Sequence, residues 1–236
     1  MGITQQIGAS SLIKPGVIDN TAARPASPYE GQVIFQKDTD QLLVWNGTAW
    51  VVPNSPAQNP QGLELVTTCT VTSAGGTSAT ASGGVVTIGA GNTSVTVSNA
   101  FSATYDNYKI VVSGGISSAQ VALKLEIGGS AGSYYGTYIY ANYATATPLS
   151  ATINAQTSML YAGGADINTL NMNLELQNPF LAKTTNIQAL MVAWGNNRGT
   201  AVCDHEVASS FTSFRIFPDS GNISSGTIRV YGYRNS

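Results

Sequence analysis

Only 9% of the 236 residues are Asp, Glu, Lys or Arg, with a formal net charge of −2, against roughly a quarter charged in an ordinary globular protein. With 43% hydrophobic residues the chain can build a core, and it lacks the low hydrophobicity and high charge that keep a chain disordered. Its ten basic residues are scattered from Lys14 to Arg234, which disfavours nucleic acid and anionic membranes as partners, and no apolar run approaches the roughly 20 residues of a membrane-spanning helix.

Residues 1–28 carry Pro15, Pro25 and Pro28 among small polar residues without an apolar period. They read as an extended N-terminal arm. The start Met1-Gly2-Ile3-Thr4-Gln5-Gln6 has neither the basic region nor the apolar stretch of a secretory signal, so a soluble product made in a cytosol is expected. Residues 29–56 then change character. Three β-type runs, Val33 to Gln36, Leu42 to Trp45 and Ala49 to Val52, are separated by Asp38-Thr39-Asp40 and Asn46-Gly47-Thr48. Asn-Gly is a strong hairpin signal because tight turns need positive φ at their centre. The spacing predicts a three-stranded meander too small to bury its own core. Trp45 and Trp50 are therefore expected to pack against sister copies of the chain.

A Pro-rich stretch from Pro53 to Gly62 opens a linker or spacer placed at 57–94, and no charge falls between Glu64 and Asp106. Gly-rich turns alternate there with Val71, Val85, Val86 and Ile88. Short strands and a flexible spacer are both compatible with that pattern. Residues 95–236 show the period-two alternation of strands half-buried in a sheet. The best cases are Gln120 to Ile127, with Val121, Leu123, Leu125 and Ile127 on one side, and Thr169 to Leu176, with Leu170, Met172, Leu174 and Leu176 against Asn171, Asn173 and Glu175. Further strands are read at 93–97, 108–112, 135–143, 187–194, 201–207, 211–217 and 227–233. Nine short strands without a helical period predict an all-β chain ending in an antiparallel β-sandwich, with a jelly roll favoured.

The densest polar cluster is Cys203-Asp204-His205-Glu206, with the only histidine. On a strand, Asp204 and Glu206 would face one way and Cys203 and His205 the other, which divides potential ligands, so no metal site is expected. Cys69 and Cys203 lack CxxC spacing and read as buried free thiols. There is no Gly-x-Ser-x-Gly nucleophile elbow, and no acid lies between residues 127 and 165 to form a glycosidase carboxylate pair. Neither an enzyme nor a cofactor is expected. Instead, six tyrosines, Tyr134, Tyr135, Tyr138, Tyr140, Tyr143 and Tyr161, fall within 28 positions. Tyrosine offers a large amphipathic contact at low entropic cost. Tyr134, Tyr135, Tyr138, Tyr140, Asn142 and Tyr143 are thus the candidate receptor-binding residues, although the shared parity of Tyr134, Tyr138 and Tyr140 equally suits packing inside the sandwich or along a trimer axis.

The segment Arg24-Pro25-Ala26-Ser27-Pro28-Tyr29-Glu30-Gly31-Gln32-Val33-Ile34-Phe35, followed by Asp38-Thr39-Asp40-Gln41-Leu42-Leu43-Val44-Trp45-Asn46-Gly47-Thr48-Ala49-Trp50-Val51, resembles a short module of tailed-bacteriophage fibre and virion proteins. The ending Gly226-Thr227-Ile228-Arg229-Val230-Tyr231-Gly232-Tyr233-Arg234 looks like the closing strand of phage tail-fibre head domains. These matches cover about 40 residues and carry over no catalytic residue. The resemblance implies a homotrimeric appendage of the virion, assembled in the host cytoplasm. Residues 1–28 would dock on a phage tail or capsid protein, and the C-terminal domain would contact a host-surface glycan or protein. A head fibre or capsid decoration protein is the alternative, and a polysaccharide-degrading spike a more distant one.

Overall fold

The computed structural model describes residues 15–53 and 62–234, which belong to two compact units divided between Pro60 and Gln61. Half of the expected arm at 1–28, residues 1–14, therefore lies outside the described residues. In its described half, Gly16–Ile18 form a strand and Thr21–Ala23 a 3-10 turn.

The smaller unit has four strands in the order β1 (Gly16–Ile18), β2 (Val33–Gln36), β3 (Gln41–Trp45) and β4 (Trp50–Val51). β1 runs parallel to β2, and the other pairs are antiparallel. The connection includes a 3-10 turn, Thr21–Ala23, where the Asn20 side chain accepts from the Ala22 N–H at 3.0 Å. Asn46 shapes the last turn, its Oδ1 accepting from the Thr48 and Ala49 N–H groups at 3.0 and 2.8 Å.

Register sorts this sheet into two faces. Ile34, Gln36 and Leu43 share one face with Trp45 and Trp50, and the first three are buried. The Gln36 amide is saturated: it accepts from Arg24 Nε at 2.8 Å and donates to Thr21 Oγ1 at 3.1 Å and Asp38 Oδ1 at 2.7 Å. The opposite face consists of Val17, Val33, Phe35, Leu42, Val44 and Val51, with Val17 60% and Leu42 42% exposed.

The larger unit is all β: β5 (Leu63–Leu65), β6 (Thr70–Ala74), β7 (Thr80–Ser82), β8 (Val85–Thr87), β9 (Ser94–Ser98), β10 (Tyr105–Ser117), β11 (Val121–Ile127), β12 (Tyr134–Asn142), β13 (Thr147–Gln156), β14 (Met159–Asp166), β15 (Thr169–Gln177), β16 (Lys183–Trp194), β17 (Asn197–Ser209), β18 (Phe214–Pro218) and β19 (Ile223–Arg234). No α-helix occurs among the described residues. All pairings named in this sheet are antiparallel, as the alternation predicted. From residue 62 onward, the stretch assigned to a spacer is folded: β5 and β8 both bond to β19, β7 pairs with β8, and β6 pairs with β9. Val86 and Ile88 are buried, so β-branched residues outweigh the Gly-rich turns between them.

β15 is the fork of the fold. Its first half pairs with β14 and its second half with β16, while β10 runs along its other edge. One layer is β13-β12-β17-β16-β15-β10-β19, and the other is β14-β11-β18-β9-β6. The strand order does not establish the expected jelly roll, which has eight strands in two sheets. Between the layers lies one apolar cluster, including Ile110, Leu123, Leu125, Leu174, Leu176, Ile187 and Phe214. Close packing is visible at Gly232, where any Cβ would meet the Tyr105 ring 2.2 Å away.

Candidate functional site

The tyrosines of β12 divide by parity. Tyr134 and Tyr138 are fully buried and are therefore removed from the receptor-binding set, because their strand positions point into the sandwich. Tyr134 stacks on His205 at 4.4 Å between centroids and accepts from the Ile127 N–H at 2.7 Å. Tyr138 is stacked between Tyr140 and Tyr161, at 4.6 and 4.7 Å. Burial pushes the Tyr138 phenol up to about 12. The packing alternative, open in the sequence, holds for these rings, with Tyr140 half-buried in the stack. Asn142 shapes a turn, its Oδ1 accepting from the Ala144 N–H at 3.0 Å. Tyr143 is 64% exposed, with the Arg198 guanidinium 5.3 Å from its ring centroid.

The Cys-Asp-His-Glu run lies on β17 with the alternation expected: Cys203 and His205 are buried, Asp204 and Glu206 exposed. His205 Nε2 lies 2.9 Å from Ser130 Oγ, and its ring also faces Phe211. Burial holds the imidazole below its usual pKa and pushes the Cys203 thiol up to about 12. Cys203 and His205 belong to the core, and Asp204 and Glu206 to the outer surface. In the smaller unit, the Trp45 and Trp50 rings lie 5.6 Å apart, both half-buried.

No family model, curated protein or solved structure matches this chain. The site must be read from its own geometry.

Tyr135 is the one β12 candidate that lies on the outer side of the seven-strand layer, and register extends its row across the sheet. It sits opposite Asp204, which is opposite Asn186, then Gln177, then Asn107. An adjacent row runs Val202, Gln188, Glu175, Lys109 and Tyr231. Asn107, Glu175, Gln177, Asn186, Gln188 and Tyr233 line an open cleft of about 320 Å³ on this face. Glu175 is held by both neighbours: Lys109 Nζ donates to Oε1 and the Tyr233 hydroxyl to Oε2, each at 2.5 Å. Burial first, and then the bond to Glu175, push the Tyr233 phenol up to about 12.

The cleft-lining residues are separated by up to 126 positions in the chain, from Asn107 to Tyr233. The sequence signal was present only as polar partners in strand alternation. Asn173 and Glu175 on β15 alternate with buried Leu174 and Leu176, and Asn186 and Gln188 on β16 alternate with Ile187 and Ala189. No linear motif places these strands side by side.

Proposed function

We propose that this chain is a noncatalytic structural protein of a tailed bacteriophage, a short homotrimeric tail fibre. Its N-terminal region anchors it to the particle, and its sandwich meets the host surface. The observation that carries this reading is the contrast in self-sufficiency between its units. The sandwich encloses its own core, whereas the small sheet presents six apolar residues on one face. An uncharged apolar face is complementary to copies of itself around a symmetry axis, because no like charges are brought together. The resemblance of residues 24–51 to a phage fibre module points the same way. In this assembly Trp45 and Trp50, which pack on each other on the opposite face of the small sheet, stiffen the β3–β4 corner and are not themselves the self-association face expected from the sequence. The few charges on the sandwich favour contact with uncharged surface groups, since each buried ion would have to be desolvated.

Sedimentation equilibrium at micromolar concentration tests the assembly, with a mass three times the 24.5 kDa chain expected. Replacing Phe35→Asp together with Leu42→Asp should return the mass to one chain. Immunogold labelling of the phage that encodes the chain tests its place. Label at the tail tip supports the fibre, label on the shell transfers the reading to a head fibre or decoration protein, and particles without the chain overturn both.

A further inference from the structure

The amides of the outer cleft differ from those the fold spends on its own turns and loops. In turns, Asn20, Asn46 and Asn142 spend their oxygens on neighbouring N–H groups. Asn92 donates to the Thr77 carbonyl, and Gln36 is saturated within the small sheet. By contrast, no side-chain hydrogen bond among the described residues engages Asn107, Gln177, Asn186 or Gln188. Each primary amide carries two donor hydrogens and an acceptor oxygen. Four of them therefore converge on one cleft with their hydrogen-bonding capacity unspent.

Charge in the same cleft is already compensated. The Glu175 carboxylate accepts one hydrogen bond from Lys109 and another from Tyr233, so acid and lysine neutralise each other and the cleft carries no net charge from this pair. Asp204, exposed at the next position of the row, disfavours anions. The ends of the row are aromatic, with Tyr135 on β12 and Tyr233 at the cleft wall on β19. At a strand spacing of about 4.8 Å, the five steps from β12 to β19 span about 24 Å. That length exceeds a single sugar ring and suits a chain of several.

We infer that this face binds an uncharged oligosaccharide laid across the strands from Tyr135 to Tyr233. The amides of Asn107, Gln177, Asn186 and Gln188 bond to its hydroxyls, and the tyrosine rings lie against its C–H faces. Amides match neighbouring hydroxyl pairs because one group supplies both donor and acceptor, and rigid tyrosines add apolar contact at little entropic cost. The inference deepens the proposed surface contact by naming its ligand class, and it moves the site from the β12 tyrosine cluster to the outer face. Repetition of the cleft in an oligomer would raise a weak single-site affinity through avidity.

The test is an array of uncharged, sialylated, sulfated and phosphorylated oligosaccharides probed with the purified full-length chain, followed by titration of the strongest uncharged ligand. The double variant Asn186→Ala/Gln188→Ala should lose at least tenfold in affinity with its melting temperature unchanged, and Tyr143→Ala should bind as the parent does. Binding to none of the uncharged glycans, binding to charged ones alone, or unaltered binding by the double variant would overturn the inference. Particle labelling separates the two readings. A chain present on particles but blind to uncharged glycans loses the cleft and keeps the fibre; a chain that binds them but is absent from particles loses the fibre and keeps the cleft.

Discussion

The two faces of β15 are built from alternate residues of one nine-residue strand, and they do opposite things. Leu170, Met172, Leu174 and Leu176 are buried, while Asn171, Asn173, Glu175 and Gln177 point outward. Burial of each leucine removes apolar area from water, a gain on the order of 2 kcal/mol per side chain. The outward residues gain nothing comparable from folding: Asn173 and Gln177 make no side-chain hydrogen bond among the described residues, while Glu175 is held by Lys109 and Tyr233 and the Asn171 amide oxygen is buried. A period of two thus lets stability and recognition occupy the same strand without competing.

The strongest way to break this contrast is to exchange the faces' roles. Leu174→Ala, at a fully buried site, should cost about 2–5 kcal/mol in urea unfolding. Each kcal/mol corresponds to about 2–4 °C of melting temperature at this chain length. Loss under about 1 kcal/mol would mean that the inner face is not the source of stability.

A smaller effect comes from the buried His205. Burial lowers its folded-state pKa, so the unfolded chain binds a proton first. Stability should hold above the unfolded value of about 6.5 and fall as pH drops below it, by at most about 1.4 kcal/mol per pH unit, until the folded-state pKa is reached. Thermal melts from pH 8 to 5 check the sign, and His205→Gln should flatten the slope in that window. Smallest of all, Asn173→Ala or Gln188→Ala should change stability by no more than about 0.5 kcal/mol. A larger loss at either would show that the outer amides hold the fold and are not merely displayed by it.

How much of this was legible in the sequence follows from the same alternation. The nine strands read between residues 93 and 233 are all present; β15 alternates as read, while β11 turns out buried on both faces, Ala122 and Glu126 included. Two strands between them escaped. β13 is the last strand of its layer and buries only Ile153, so it has no apolar period to read. β14 contains Gly163 and Gly164, which look like a turn. In the fold, a Cβ at Gly163 would come within 2.4 Å of the Asn171 carbonyl oxygen, and glycine serves close strand packing there. β1 was hidden because its parallel partner lies across an intervening loop, as Gly16 opposite Ile34 shows. The candidate site was half legible. The polar parity of β15 and β16 could be read, but the meeting of Asn107, Gln177 and Asn186 depends on a non-local register.

Tyr135 and Tyr138 sharpen the point, since three positions separate a ring on the outer face from one at the centre of an aromatic stack. Clustering in sequence drew attention to both, and parity sends them to opposite sides.

The measurement that tests the account most directly is a crystal structure of the chain soaked with the uncharged oligosaccharide that binds it best. The account predicts sugar rings crossing the strands between Tyr135 and Tyr233, within hydrogen-bond distance of the Asn186 and Gln188 amides. Sugar bound instead beside Tyr143 and Arg198, with the outer cleft empty, would contradict it.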